Sequence, residues 1–332
     1  MVIAMAQITI IPDKIEFNVV PEQTVLDAGL AQKLNLPHSC KNGVCGACKS
    51  KLVSGEVRLD TYNPKTLTSD DIKQGYTLLC KAHAVTDLVL DIPNVLDGFP
   101  IKIMPSKVIS VDKIHNTAII NLKLPANLIF GFHAGQYVEI MFKGKTRSYS
   151  IASSPLIPNE IELHTKYHKG GEFSEYVWNE LKTDSLVRFK GPMGAFKLQK
   201  SDSPIIFVCT GTGFAPVKSI IETLYLSNDS REIHLYWGNR TVDDFYLTDI
   251  LGKWQSTLNI KVIRCLSKDS QNQYFNGYVT DALKIDFNNL TDYDLYACGN
   301  PQMIEDVFEL ASEKLGLARD RFFSDAFTPA VV

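Results

Sequence analysis

Three cysteines, Cys40, Cys45 and Cys48, fall within nine residues of one another in the stretch HSCKNGVCGACKS, with Gly43 and Gly46 between them; Cys80 follows after 31 more residues. A loop so rich in soft ligands and glycine folds around something, and this constrains the first quarter of the chain more than any apolar pattern does. The full count is seven cysteines, an odd number. In a chain that reads as cytosolic this argues against a disulfide framework and for metal or cluster ligation by those four.

The 332 residues suffice for two or three domains, each with its own core. Basic and acidic residues nearly cancel, 34 against 37, and no stretch concentrates Lys or Arg among aromatics. A nucleic-acid surface is therefore not expected. The start, MVIAMAQITI, lacks a basic n-region and a sustained apolar core, and no later run approaches membrane-spanning length. Neither a signal peptide nor a membrane span is expected, and the expected location is the cytoplasm.

Organisation changes twice along the chain. Residues 1–93 read as a small mixed unit: a hairpin from ITIIPDK and IEFNVV, a helix over VLDAGLAQKL capped by Thr24 and Asp27, the cysteine loop, then short strands in KLVSGEVRL, YTLLCKAHA and DLVLDIP. Pro93, Gly98 and Pro100 mark a linker over 94–103. Residues 104–200 hold six strand-like runs, SKVISVD, TAIINLKL, QYVEIMF, RSYSIAS, IELHTKY and LVRFKG, with one helix around FSEYVWNEL. That is the pattern of a small antiparallel barrel. From 201 to 332 strands and helices alternate, ending in the helix PQMIEDVFELASEKL, so a parallel sheet covered by helices is expected.

The spacing C-x4-C-x2-C followed by a distant cysteine is the plant-type pattern for a 2Fe-2S cluster. Zinc also takes four cysteines, usually as two close pairs in the sequence, so the spacing favours the cluster. Arg147 and Tyr149 share one face of a strand, with Ser148 and Ser150 on the other, which joins a phosphate-pairing guanidinium to a flat ring. Alone, that tetrapeptide is equally an exposed strand. Gly170 and Gly171, with Ser174, open a helix, where backbone N–H groups favour an anion; the plain alternative is a glycine turn with Ser174 as cap. Gly211, Thr212 and Gly213 stand between an apolar strand and a helix with Pro216 in its first turn, a setting for a pyrophosphate. Cys298 ends a later strand, beside that turn or as a small buried residue, and Cys209 and Cys265 read as buried strand residues. No histidine stands at ligand spacing from a carboxylate or cysteine, and each is given a structural role.

These motifs, in this order along essentially the whole chain, resemble ferredoxin-NADP reductase-type flavoproteins fused to an N-terminal plant-type ferredoxin. The resemblance implies a β-grasp-like α+β ferredoxin domain, a six-stranded antiparallel β-barrel for the flavin and an α/β parallel-sheet nucleotide domain. It implies that Cys40, Cys45, Cys48 and Cys80 hold the cluster, that Arg147 pairs with flavin phosphate, that Tyr149 lies against the isoalloxazine and that Ser150 approaches its N5. Gly170, Gly171 and Ser174 fall on the family's phosphate loop, Gly211, Thr212 and Gly213 on its pyridine-nucleotide loop, Cys298 on its nicotinamide-side cysteine and Phe327 on its flavin-shielding aromatic. FAD is implied over FMN. NADH is favoured over NADPH because Asp243 and Asp244 follow the YWGNR strand end, with Arg240 leaving the choice open. TRSYSIA, GTGFAPVKSI, REIHLYWG, DLYACGNP and FFSDAFT look like reductases that serve a pyridoxamine-dependent CDP-6-deoxy-4-hexulose 3-dehydrase in deoxysugar synthesis. Oxygenase reductases and flavin reductases share the layout. The rival from another class is a zinc-binding or redox-sensing module without turnover. In the dehydrase and oxygenase readings electrons leave for a separate redox enzyme.

Overall fold

Alternating apolar residues build the first hairpin, β1 (Ala6–Ile11) with β2 (Ile15–Val19), which turns Ile8, Ile10, Phe17 and Val19 inward. The computed structural model describes residues 5–93, 95 and 98–327. Asn94, Leu96 and Asp97 of the expected linker lie outside that description. Helix α1 (Val25–Ala31) starts where Thr24 Oγ1 accepts the Asp27 N–H at 3.1 Å, and it buries Val25, Leu26, Ala28 and Leu30. Then come β3 (Lys49–Ser54), β4 (Val57–Leu59), α2 (Ser69–Lys73), β5 (Tyr76–Leu78), β6 (Ala82–Ala84) and β7 (Leu88–Asp91). The strands form a sheet in the order β2-β1-β7-β3-β5 and a separate pair, β4 with β6. The Ser54-Gly55 turn therefore closes no hairpin. An irregularity between Leu52 and Ser54 carries β3 out of register with β7, and β4 departs to pair with β6.

The chain divides into two compact units, Met1–Lys102 with Pro192–Phe196, and Ile103–Gly191 with Lys197–Val332. In the second, six strands run antiparallel: β8 (Lys102–Ile114), β9 (Thr117–Lys123), β10 (Tyr137–Phe142), β11 (Lys145–Ser150), β12 (Glu160–Lys166) and β13 (Leu186–Met193). Their order is β11-β10-β13-β8-β9-β12, and a bridge between Ile151 and Leu163 joins the two ends into a barrel. Val138, Ile140, Leu163 and Phe189 fill it, and α3 (Glu172–Asn179) adds Phe173 and Val177.

The remainder alternates: β14 (Ile205–Thr210), α4 (Phe214–Leu226), β15 (Ile233–Asn239), α5 (Asp249–Thr257), β16 (Ile260–Leu266), β17 (Phe275–Asn276), α6 (Val279–Asp286), β18 (Asp294–Gly299), α7 (Pro301–Phe308) and β19 (Phe322–Ala326). All pairs are parallel in the order β17-β16-β15-β14-β18-β19, so the winding reverses between β14 and β18. Ligands of such sheets bind in the crevice beyond the carboxyl ends at that reversal. The last helix is shorter than its apolar period suggests: past Phe308 it widens into a π-helical stretch, Glu309–Lys314, with Leu315 N–H reaching back to Leu310 O at 3.1 Å. Arg321 moors β19, its guanidinium donating to Asp294 Oδ1 at 2.9 Å, to the carbonyls of Thr291 and Asp292, each at 2.8 Å, and to Ser203 Oγ.

Phe189 is fully buried in the barrel, edge-on to Phe130 at 5.1 Å. Phe189→Ala is expected to cost about 3–5 kcal/mol in urea denaturation followed by circular dichroism. A loss below about 1 kcal/mol would show that the cavity collapses and that the barrel does not rest on this ring.

Candidate functional site

The cysteine loop begins its tight path soon after α1. Gly43 sits at φ +75 and Gly46 at φ +76, and a Cβ on Gly43 would stand 2.9 Å from Tyr62 Cβ and 3.0 Å from the Lys81 side chain. Only glycine turns there without strain. The turn aims backbone at sulfur, with Asn42 N–H 3.4 Å from Cys40 Sγ. Cys48 Sγ and Cys80 Sγ lie 3.2 Å apart, and Cys40 is hydrogen-bonded to Cys45. Bonding to Cys45 pulls Cys40 down to about 5, and bonding to Cys48 pulls Cys80 down. The same two bonds, with burial, push Cys45 and Cys48 up. Two close sulfur pairs match a binuclear centre with two ligands on each metal. Among the described residues no group of three or more His, Cys, Asp or Glu converges as for a single ion.

On β11, Arg147 and Tyr149 lie opposite Ile140 and Val138 of β10, both partly exposed, while Ser150 is buried. The Tyr149 ring packs 5.3 Å from Phe173 of α3, and burial pushes its phenol up. The buried hydroxyl of Thr165, on β12, the strand that meets the end of β11, stands beside that phenol. Gly170, at φ +78, has open space where a Cβ would point. Ser174 does not cap the helix from outside. Lying inside α3, its hydroxyl donates to His168 O at 2.9 Å and accepts the His168 N–H at 3.2 Å, which fixes the loop. Glu175 Oε1 accepts the Gly170 N–H at 3.1 Å.

At the carboxyl edge of the parallel sheet, Gly211–Gly213 form a 3-10 turn. A Cβ on Gly213 would stand 2.3 Å from Cys298 O, so the turn lies directly on the end of β18. Gly211, at φ +55, faces open space. Asn300 donates its N–H to Thr210 Oγ1 at 3.0 Å and caps α7 through Gln302 and Met303. Cys298 is fully buried beside Cys209, its register partner, and burial pushes its thiol up, so it stays protonated. Phe327 N–H reaches Gly299 O at 2.8 Å, which brings the last described residue to the same edge. Cys298, the glycine turn and Phe327 thus meet, as their places in the sequence suggest. A depression of about 300 Å³ lined by Asn228, Asp229, Ser230, Thr257, Leu258 and Asn259 lies at the amino ends of β15 and β16, the wrong edge for a ligand of this sheet.

Two sequence expectations are corrected. Asp244 is not a free carboxylate: Oδ1 accepts from Lys166 Nζ at 2.9 Å and Asn116 Nδ2 at 3.0 Å, and Oδ2 from the N–H and hydroxyl of Thr241. Burial alone would raise it, but these bonds prevail and hold it at about 2. Asp243 stays exposed. Histidines do meet carboxylates: His83 with Asp60, His164 with Glu162 and His234 with Glu232. Glu162 and His164 are two apart on β12, and Glu232 stands just before β15, two before His234, so alternation would have placed each pair on one face. The sequence reading missed the buried His164, Lys218 and Tyr246 and the half-buried Glu162 and Glu222, which gather where the barrel meets α4.

The chain matches three families in order. Residues 8–85 match the 2Fe-2S iron-sulfur cluster binding domain, residues 105–198 the oxidoreductase FAD-binding domain and residues 207–309 the oxidoreductase NAD-binding domain. It is 38% identical over 324 residues to the CDP-6-deoxy-L-threo-D-glycero-4-hexulose-3-dehydrase reductase of Yersinia pestis, covering 96% of this chain and 97% of that one. It is 33% identical to reductase component 1 of the terephthalate 1,2-dioxygenase of a Comamonas species, covering 97% of each. Among solved structures, the Amycolatopsis cytochrome P450 reductase GcoB superposes with a TM-score of 0.80 at 27% identity, over 98% of this chain and all of that one. No helix among the described residues is long and apolar enough to cross a membrane.

Gly213→Ala is expected to push the turn off Cys298, an overpacking cost of about 1–3 kcal/mol. Calorimetry with NAD should read a loss of affinity of about tenfold. Unchanged affinity would show that the close approach does not shape the nucleotide site.

Proposed function

The chain belongs to the oxidoreductase family that joins a 2Fe-2S ferredoxin domain to FAD-binding and NAD-binding domains and acts as an electron-transfer reductase; on that premise we propose that its donor is NADH and its acceptor a pyridoxamine-dependent CDP-6-deoxy-4-hexulose 3-dehydrase. The observation that carries the acceptor is the end-to-end likeness to the Yersinia reductase. The donor rests on Asp243, an exposed carboxylate after β15 that repels a 2′-phosphate, now without help from Asp244.

The bound groups supply the conversion of a two-electron hydride donor into single electrons. In our reading Cys40, Cys45, Cys48 and Cys80 hold the cluster as two pairs. Arg147 neutralises flavin phosphate, Gly170, Gly171 and Ser174 shape the α3 terminus for the same charge, and Tyr149 and Ser150 border the ring. The Gly211–Thr212–Gly213 turn takes the nucleotide pyrophosphate through its backbone, with Cys298 beside the nicotinamide and Phe327 shielding the flavin face. Buried and protonated, Cys298 shapes the site without serving as a nucleophile. Orientation, rather than a general acid or base, carries the hydride step. The likeness to the Comamonas reductase supports a second reading, delivery to an oxygenase.

Reconstitution decides between them. The NADH-reduced protein should drive turnover of a purified pyridoxamine-dependent dehydrase; turnover of an oxygenase instead would favour the second reading. Cys45→Ser should leave anaerobic flavin reduction by NADH intact while abolishing delivery to the partner. Loss of flavin reduction in protein that still holds flavin would overturn the division of labour. Asp243→Asn should raise kcat/KM for NADPH relative to NADH about fivefold, from roughly 1 kcal/mol of exposed repulsion; an unchanged ratio would remove Asp243 from donor selection.

A further inference from the structure

Lys218 is a lysine almost without water. Its side chain is 6% exposed on α4, five residues beyond Gly213, and its ammonium meets Glu162 Oε1 at 3.1 Å, Glu222 Oε1 at 3.3 Å and Ala152 O at 3.3 Å. Three donors find three acceptors, so the charge is fully bonded. Each acceptor leads to the same short segment. Ala152 N–H donates to Glu162 O at 2.7 Å, and Ser154 N–H to Glu222 Oε2 at 2.7 Å. Ser219 Oγ donates to Ser153 O at 2.7 Å, and Ser154 Oγ pairs with Thr223 Oγ1 at 2.8 Å. The residues directly after Ser150 are thus fastened to β12 on one side and to α4 on the other.

A second route leads to the same turn. His164 donates from Nε2 to Glu162 Oε1 at 2.7 Å and accepts the Tyr246 hydroxyl at Nδ1, 3.0 Å away. This tautomer follows from its two partners. Tyr246 meets Trp237 edge-on at 5.4 Å, and Trp237 Nε1 donates to Gly211 O at 3.2 Å. Burial keeps His164 neutral, and although burial would raise Glu162, the bond from His164 and the Lys218 charge hold it at about 2.

A buried ionic network adds little net stability compared with an apolar one of the same shape, and its best-attested use is to fix register. Here the two elements in register are the strand end carrying Ser150 and the helix behind Gly211–Gly213. We propose that Lys218, with Glu162 and Glu222, is a positioning residue for hydride delivery, locking the flavin-side strand end to the nucleotide turn. The proposal rests on the NADH-to-flavin reading above. Misplacement of about 1 Å in such a geometry costs on the order of a hundredfold in rate.

The test uses Lys218→Met and, because that variant leaves two half-buried carboxylates without their cation, the neutral triple variant Lys218→Met/Glu162→Gln/Glu222→Gln. Stopped-flow reduction by NADH under anaerobic conditions should slow by about tenfold or more, with a changed deuterium isotope effect from 4-deuterated NADH. Flavin content, flavin potential and NAD affinity should stay at wild-type values. In the ligand-free variants, amide exchange at Ala152 and Ser154 should quicken. A folded triple variant that is reduced at the wild-type rate overturns the proposal, as does slow reduction accompanied by lost flavin or a shifted potential. If the wild-type protein itself is not reduced by NADH, the underlying reading fails instead.

Discussion

The carbonyl of Cys298 and the backbone of Gly213 stand so close that a single methyl group would not fit between them. That approach is possible only because parallel strands β14 and β18 are register neighbours and both end at the same edge. From it follow the position of the 3-10 turn, the start of α4 and the cap of α7 on Asn300. A sheet wound in both directions from β14 leaves its crevice at this point, and the glycines keep the crevice open.

Much of this was legible because it is local. Strand, glycine turn and helix over 205–226 are written in consecutive residues, as is the Thr24 cap of α1. Cysteine spacing along the chain picked out the four cysteines that the structure gathers as two sulfur pairs, and α2, which escaped notice, carries an equally readable Thr68–Asp71 capping box. Non-local facts were not legible. Nothing around KLVSGEVRL says that β3 and β4 leave for different sheets, since their partners lie downstream. Asp244 reads as an open carboxylate until Lys166 and Asn116, far back in the chain, are seen to claim it. Lys218 looks like the polar side of a helix because the carboxylate that buries it stands 56 positions earlier.

The two ends of the chain achieve order by different means. In the ferredoxin unit, turns with positive φ crowd sulfur against backbone N–H groups, and the local chain is tight because its contents are small. In the second unit, polar groups are held between layers: Lys218 among its acceptors, neutral His164 between Glu162 and Tyr246, and half-buried Arg321 among carbonyls. Each of these is satisfied, which is the condition under which a buried polar network specifies one arrangement.

Trp237 gives the turn an optical consequence. Of the three tryptophans, it is the one whose indole N–H is bonded to Gly211, and its ring stacks on Phe214 at 4.0 Å. Movement of the turn alters the polarity and the stacking felt by that indole. Its emission is therefore an intrinsic gauge of the nucleotide edge, built into the chain without a dye.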